Sequence, residues 1–159
     1  MALSNRINMR GGGGAPSGNY IFKNGQFIVP MSANQFSRSG YTMTMPSQDS
    51  SGNLILTTDS NYNYCIAGTA YSIDLTDVNA ITFKIKSTEV YSNVGVNFFI
   101  QRTTILGSDT STISGNTTTV TNDFVEYTID TTNLTGNYYI VVLTTSPYRK
   151  GLVSEIYLS

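Results

Sequence analysis

Residues 71–87 read Tyr71-Ser72-Ile73-Asp74-Leu75-Thr76-Asp77-Val78-Asn79-Ala80-Ile81-Thr82-Phe83-Lys84-Ile85-Lys86-Ser87. From Ile81 the pattern alternates: Ile81, Phe83 and Ile85 face one way, Thr82, Lys84 and Lys86 the other. Side chains on a strand point to opposite faces in turn, so this is a strand with one dry and one wet face. Ser72 to Leu75 reads as a short strand before it. Thr76 to Asn79 is the corner between them, where Asp and Asn side chains bond their own backbone.

Working outward, the same period recurs. Asn93 to Arg102 puts Val94, Val96, Phe98 and Ile100 inward and Asn97 and Gln101 outward, with Phe99 an apolar exception on the polar side. Phe124 to Asp130 sets Val125, Tyr127 and Ile129 against Glu126, Thr128 and Asp130. Asn137 to Thr145 is apolar on both faces, the signature of a central strand covered on both sides. Gly151 to Ser159 closes the chain with Leu152, Ile156 and Leu158 inward. Near the front, Asn24-Gly25 between two apolar runs predicts a hairpin over Tyr20 to Val29, since a type I′ turn needs positive φ at both central residues. Residues 31–40 read as a polar loop and Gly40 to Pro46 as a strand with Tyr41, Met43 and Met45 on one side. Ser47 to Asn53 reads as a turn, and Asn53 to Thr58 and Tyr62 to Ala67 as strands. Residues 107–122 are a long loop or edge ribbon. No stretch of ten residues carries a 3.6 period. About ten short strands without helices predict an all-β, antiparallel jelly-roll β-sandwich over residues 19–159.

Composition bounds the rest. A chain of 159 residues is one domain with room for a core. Charged residues are only 12 % of it, so solubility rests on Thr, Ser and Asn. The net charge of −1 sets up no field for nucleic acid, and no apolar run spans a membrane. Neither is expected as a partner. With no histidine, the Ser-His-Asp and Cys-His arrangements and most zinc sites are excluded. Catalysis would fall to paired carboxylates among Asp74, Asp77, Asp123, Glu126 and Asp130. Corner and surface carboxylates more commonly cap turns, so the chain is not expected to be an enzyme. No catalytic residue and no metal ligand is assigned, and no cofactor is expected. A structural calcium ion would draw on Asp49-Ser50-Ser51 and Asp59-Ser60-Asn61, but no EF-hand-like string is present. The single cysteine, Cys65, is expected to be a small buried hydrophobe.

Residues 1–18 hold four consecutive glycines and read as an extended arm. Leu3, Ile7 and Met9 give it apolar groups to bury and Arg6 and Arg10 two positive charges, so these five are the expected anchoring residues. No signal peptide is visible there. For sugar binding the candidates are Tyr62, Tyr91 and Tyr148, in or beside predicted loops, with Tyr64 also near one and Arg149 in the tip Pro147-Tyr148-Arg149-Lys150.

Three features together resemble a known family: the opening Asn19-Tyr20-Ile21-Phe22-Lys23-Asn24-Gly25, the corner Ser72 to Phe83, and the ending Val153-Ser154-Glu155-Ile156-Tyr157-Leu158. They are similar to the galactose-binding-like jelly-roll domains of minor structural proteins of bacteriophages and prophages. That family carries a Gly-Gly-Trp element after the hairpin, and this chain has no tryptophan. The resemblance implies a virion structural or accessory protein, in head decoration, fibre or tail. It would be synthesised in the host cytoplasm, bound to other virion proteins through the arm, homo-oligomeric, and able to adhere to cell-surface glycans. The alternative is a carbohydrate-binding module that recognises glycans through its loop tyrosines.

Overall fold

The computed structural model describes residues 19–159; the arm, with Leu3, Arg6, Ile7, Met9 and Arg10, lies outside the described residues. In chain order the strands are β1 (Asn19–Lys23), β2 (Gln26–Phe27), β3 (Met31–Ser32), β4 (Thr42–Thr44), β5 (Ser47–Gln48), β6 (Leu54–Leu56) and β7 (Asn63–Thr69). There follow β8 (Ile73–Asp74), β9 (Ala80–Glu89), β10 (Asn97–Gln101), β11 (Ile113–Asn116), β12 (Val125–Asp130), β13 (Asn137–Thr144) and β14 (Lys150–Leu158). No helix occurs among the described residues. The strands form two sheets of a β-sandwich, one ordered β12-β9-β14-β1-β2 and the other β11-β10-β13-β7-β3. Pairing is antiparallel except where β4 runs parallel to β7.

The apolar face of 81–87 forms as its alternation requires. Ile81, Phe83 and Ile85 are fully buried, and the Phe83 ring meets Phe98 of the opposite sheet at 5.0 Å between centroids. On the outer face Thr82 and its cross-strand partner Thr128 share a hydroxyl contact of 3.0 Å. The closing strand β14 is central, between β9 on one side and β1 and β6 end to end on the other. Asn24 and Gly25 adopt φ of 50° and 75°, as the hairpin between β1 and β2 demands. β13 lies between β10 and β7 and is buried on both faces. Cys65 is buried, and burial pushes its thiol pKa up.

Several expectations are corrected. Leu152 is not inward: Val153 pairs with Ile85 but Glu155 with Lys84, so Ser154 is an extra residue. This bulge shifts the alternation, so Val153 enters the core in place of Leu152, while Ile156 and Leu158 are inward as expected. Val125 is left 39 % exposed because it starts an edge strand. The expected turn over 47–53 begins with β5, which pairs with β6 around a tighter turn. That turn is tied by the Asp49 carboxylate, which accepts from the N–H groups of Ser51 and Asn53. Residues 31–40 are not a wholly polar loop. Ala33 and Phe36 are buried with Tyr64, Ile66, Phe99, Leu106, Val141 and Leu143 in a second apolar cluster.

Candidate functional site

The second cluster explains Phe99. The loops 33–41 and 102–112 fold back over the outer face of the β11-β10-β13-β7 sheet, so this face carries apolar side chains. The loops are joined to each other by Ser37 N–H donating to Thr104 O and Leu106 N–H donating to Ser37 O. Gln35 Nε2 donates to Thr69 O at 2.9 Å, and the Phe36 ring lies edge-on to Tyr139 at 5.8 Å. Arg102 donates to Tyr138 Oη at 2.8 Å and holds the other loop down. Gln101 points outward as expected but is buried, its Nε2 donating to Thr103 O at 2.7 Å.

Where the two loops stop short, they leave a cleft of about 370 Å³, a size suited to a small ligand. Register defines its floor. Phe99 is paired with Ser114 and Val141, and Asn97 with Asn116 and Leu143, so Phe99, Asn97, Ser114 and Leu143 lie side by side. Tyr64, Thr145, Arg38, Asp109, Thr112 and Arg149 are among the residues of its walls. Tyr64 is only 4 % exposed, and its ring stacks on Tyr41 at 4.8 Å with 8° between planes. Its hydroxyl is held by Arg38 Nη1. Burial raises the Tyr64 pKa, against the opposing positive charges of Arg38 and Arg149. Arg149 Nη1 donates to Thr145 Oγ1 at 3.0 Å. Asp109 turns its carboxylate to its own loop, accepting from the Ser111 hydroxyl and from the N–H groups of Ser111 and Arg102. The Ser111 hydroxyl, ahead of the backbone donors, lowers its pKa.

The sequence-predicted tyrosines are divided between two places. Tyr62, 71 % exposed, continues the Tyr41–Tyr64 stack outward, with 6.4 Å between its centroid and that of Tyr41. Tyr91 and Tyr148, 56 % and 60 % exposed, meet each other at 5.9 Å and border a separate groove with Val120. Arg149 follows Tyr148 in the chain but lines the cleft. Lys150 leaves in another direction, to an ion pair with Glu89 at 2.8 Å. Arg38, Asn97 and Phe99 belong to the cleft and were not among the candidates. Phe99, as an apolar residue on the wet side of its strand, was the signal that something covers that face.

Three of the carboxylates considered for catalysis are engaged in turns and surface bonds. Asp74 accepts from Thr76, Asp130 from Thr132, and Glu126 from Tyr157 Oη at 3.2 Å. The Asp59 carboxylate accepts from Asn63 Nδ2. No group of three or more His, Cys, Asp or Glu side chains able to share a metal ion occurs among the described residues.

No family model and no curated protein matches the chain. Among solved structures it is similar to a point mutant of CBM29-2, studied for ligand recognition by family 29 carbohydrate-binding modules. The TM-score is 0.53 at 15 % identity, over 90 % of this chain and 91 % of that one. The likeness is one of fold, a jelly-roll-like antiparallel sandwich shared along nearly the whole length, and the virion resemblance finds no counterpart in these comparisons.

Proposed function

We propose that the protein is a carbohydrate-binding module, with the cleft on the outer face of the β11-β10-β13-β7 sheet as its binding site. One observation carries this reading: Tyr64 and Phe99 line a cleft together with the side chains of Asn97, Thr145, Arg38 and Arg149. Sugars present apolar C–H faces edged by hydroxyls, and this combination of rings and hydrogen-bonding groups is complementary to both. The similar fold belongs to a module named for carbohydrate binding, but a fold hosts many functions, so the cleft and not the likeness supports the assignment. Tyr62, packed on Tyr41 behind Tyr64, adds an exposed aromatic face next to it. Tyr91 and Tyr148 make a second platform for longer chains.

Affinity electrophoresis of the full chain against a panel of soluble polysaccharides and short oligosaccharides tests this. Asn97→Ala is expected to weaken binding of short oligosaccharides about two- to tenfold, the loss of an ordinary hydrogen bond. Tyr148→Ala is expected to spare short ligands and weaken long ones. If no saccharide is retarded, or Asn97→Ala binds as the parent does, the cleft is not a sugar site.

A further inference from the structure

Resting on that reading, we infer that the cleft selects acidic saccharides, those bearing a carboxylate or sulfate group, which the guanidinium groups of Arg38 and Arg149 recognise across the Tyr64 hydroxyl. Arg38 lies over the Tyr41 and Tyr64 rings, 5.1 and 5.7 Å from their centroids, with Nη1 at the Tyr64 hydroxyl. Arg149 reaches the same cleft from the β13–β14 loop, where Thr145 Oγ1 takes its Nη1. Among the described residues neither guanidinium has an acidic partner. The one carboxylate on the wall, Asp109, is occupied by Ser111 and the Arg102 N–H.

The same wall also carries unsatisfied hydrogen-bonding groups. Four buried side-chain polar atoms among the described residues lack a hydrogen-bond partner, and two of them, Arg149 Nε and Thr112 Oγ1, belong to residues lining this cleft. Buried polar groups are almost always satisfied, so such atoms call for an explanation. The planar fork of an arginine matches a carboxylate or sulfate in two parallel charge-assisted bonds, which a neutral hydroxyl cannot supply. The chain's net charge of −1 offers no general attraction for polyanions, so selectivity has to be local.

The test measures binding of the full chain to three sets of oligosaccharides: neutral hexoses, uronates and sulfated sugars. The parent is compared with Arg149→Gln, Arg149→Lys and Arg38→Gln, each checked for parental near-ultraviolet circular dichroism. One acidic set is expected to bind more tightly than the neutral set and more weakly as salt rises. Arg149→Gln is expected to lose about tenfold or more of that affinity, with Arg149→Lys keeping part of it. Uronate preferred over sulfate, or the reverse, identifies the source of the anion. Equal affinity for neutral and acidic sets, or acidic binding untouched by Arg149→Gln, overturns the inference and leaves the module reading standing. Failure of every saccharide to bind overturns both. Arg149 is half-buried in a loop, so its variants keep the test decisive should Arg38→Gln fail to fold.

Discussion

Replacing Gly68 by alanine places a methyl group 2.2 Å from Cε2 and 2.4 Å from Cζ of Phe36, because that ring lies directly on the backbone of β7. Ordinary contact begins near 3.4 Å, so the ring must retreat by about 1.2 Å. Its retreat is obstructed by Tyr139, which it meets edge-on, and by the hydrogen bonds that hold its loop to residues 69, 104 and 106. Overpacking of this kind costs about 1–3 kcal/mol, and the lower backbone entropy of alanine in a strand returns about 0.5–1 kcal/mol. The net loss is up to about 2.5 kcal/mol, or a fall in Tm of up to about 10 °C for a domain of this size. Arg38 is two residues beyond Phe36, so saccharide affinity is expected to fall with it. A double-mutant cycle read by calorimetry isolates the contact. Phe36→Ala alone costs about 3–5 kcal/mol, and in that background Gly68→Ala is expected to stabilise by about 0.5–1 kcal/mol. Equal destabilisation by Gly68→Ala in both backgrounds would refute the claim that the Phe36 ring is what clamps this loop to the sheet.

Two further outcomes are expected. The folded Asp109 pKa is depressed, so its contribution to stability is present above the unfolded value of about 3.9 and is lost as pH falls through the folded one. Protection of the amides of residues 102–112, taken relative to their intrinsic exchange rates at each pH, is therefore expected to fall below about pH 4, and Asp109→Asn to show that lower protection at neutral pH; protection unchanged with pH would contradict this role. Cys65 is buried with its thiol pKa raised, so a thiol reagent is expected to react at the rate of global opening, suppressed by orders of magnitude relative to the unfolded chain. Fast reaction without denaturant would show that the sandwich opens at β7.

Much of this architecture was legible from residue order. The period of two in 81–87 and 97–101, the Asn24-Gly25 turn and the doubly apolar 137–145 each declare a local conformation and a buried face, because pleat and turn geometry act over a few residues. The candidate site was legible only in fragments. Tyr62, Tyr91, Tyr148 and Arg149 were identified as loop residues, but adjacency in the chain could not show that Tyr148 turns to Tyr91 while Arg149 turns to Tyr64. Arg38 and Phe99 share the cleft with that tyrosine from positions 26 and 35 residues away in the chain. The bulge at Ser154 likewise depends on how β14 fits β9, and nothing within β14 announces it. The sequence by itself determined the long strands and, apart from the bulged start of β14, which side of each is dry. Tertiary structure decided which loops cover the outer face and where they leave it open, since that depends on packing between segments distant in the chain.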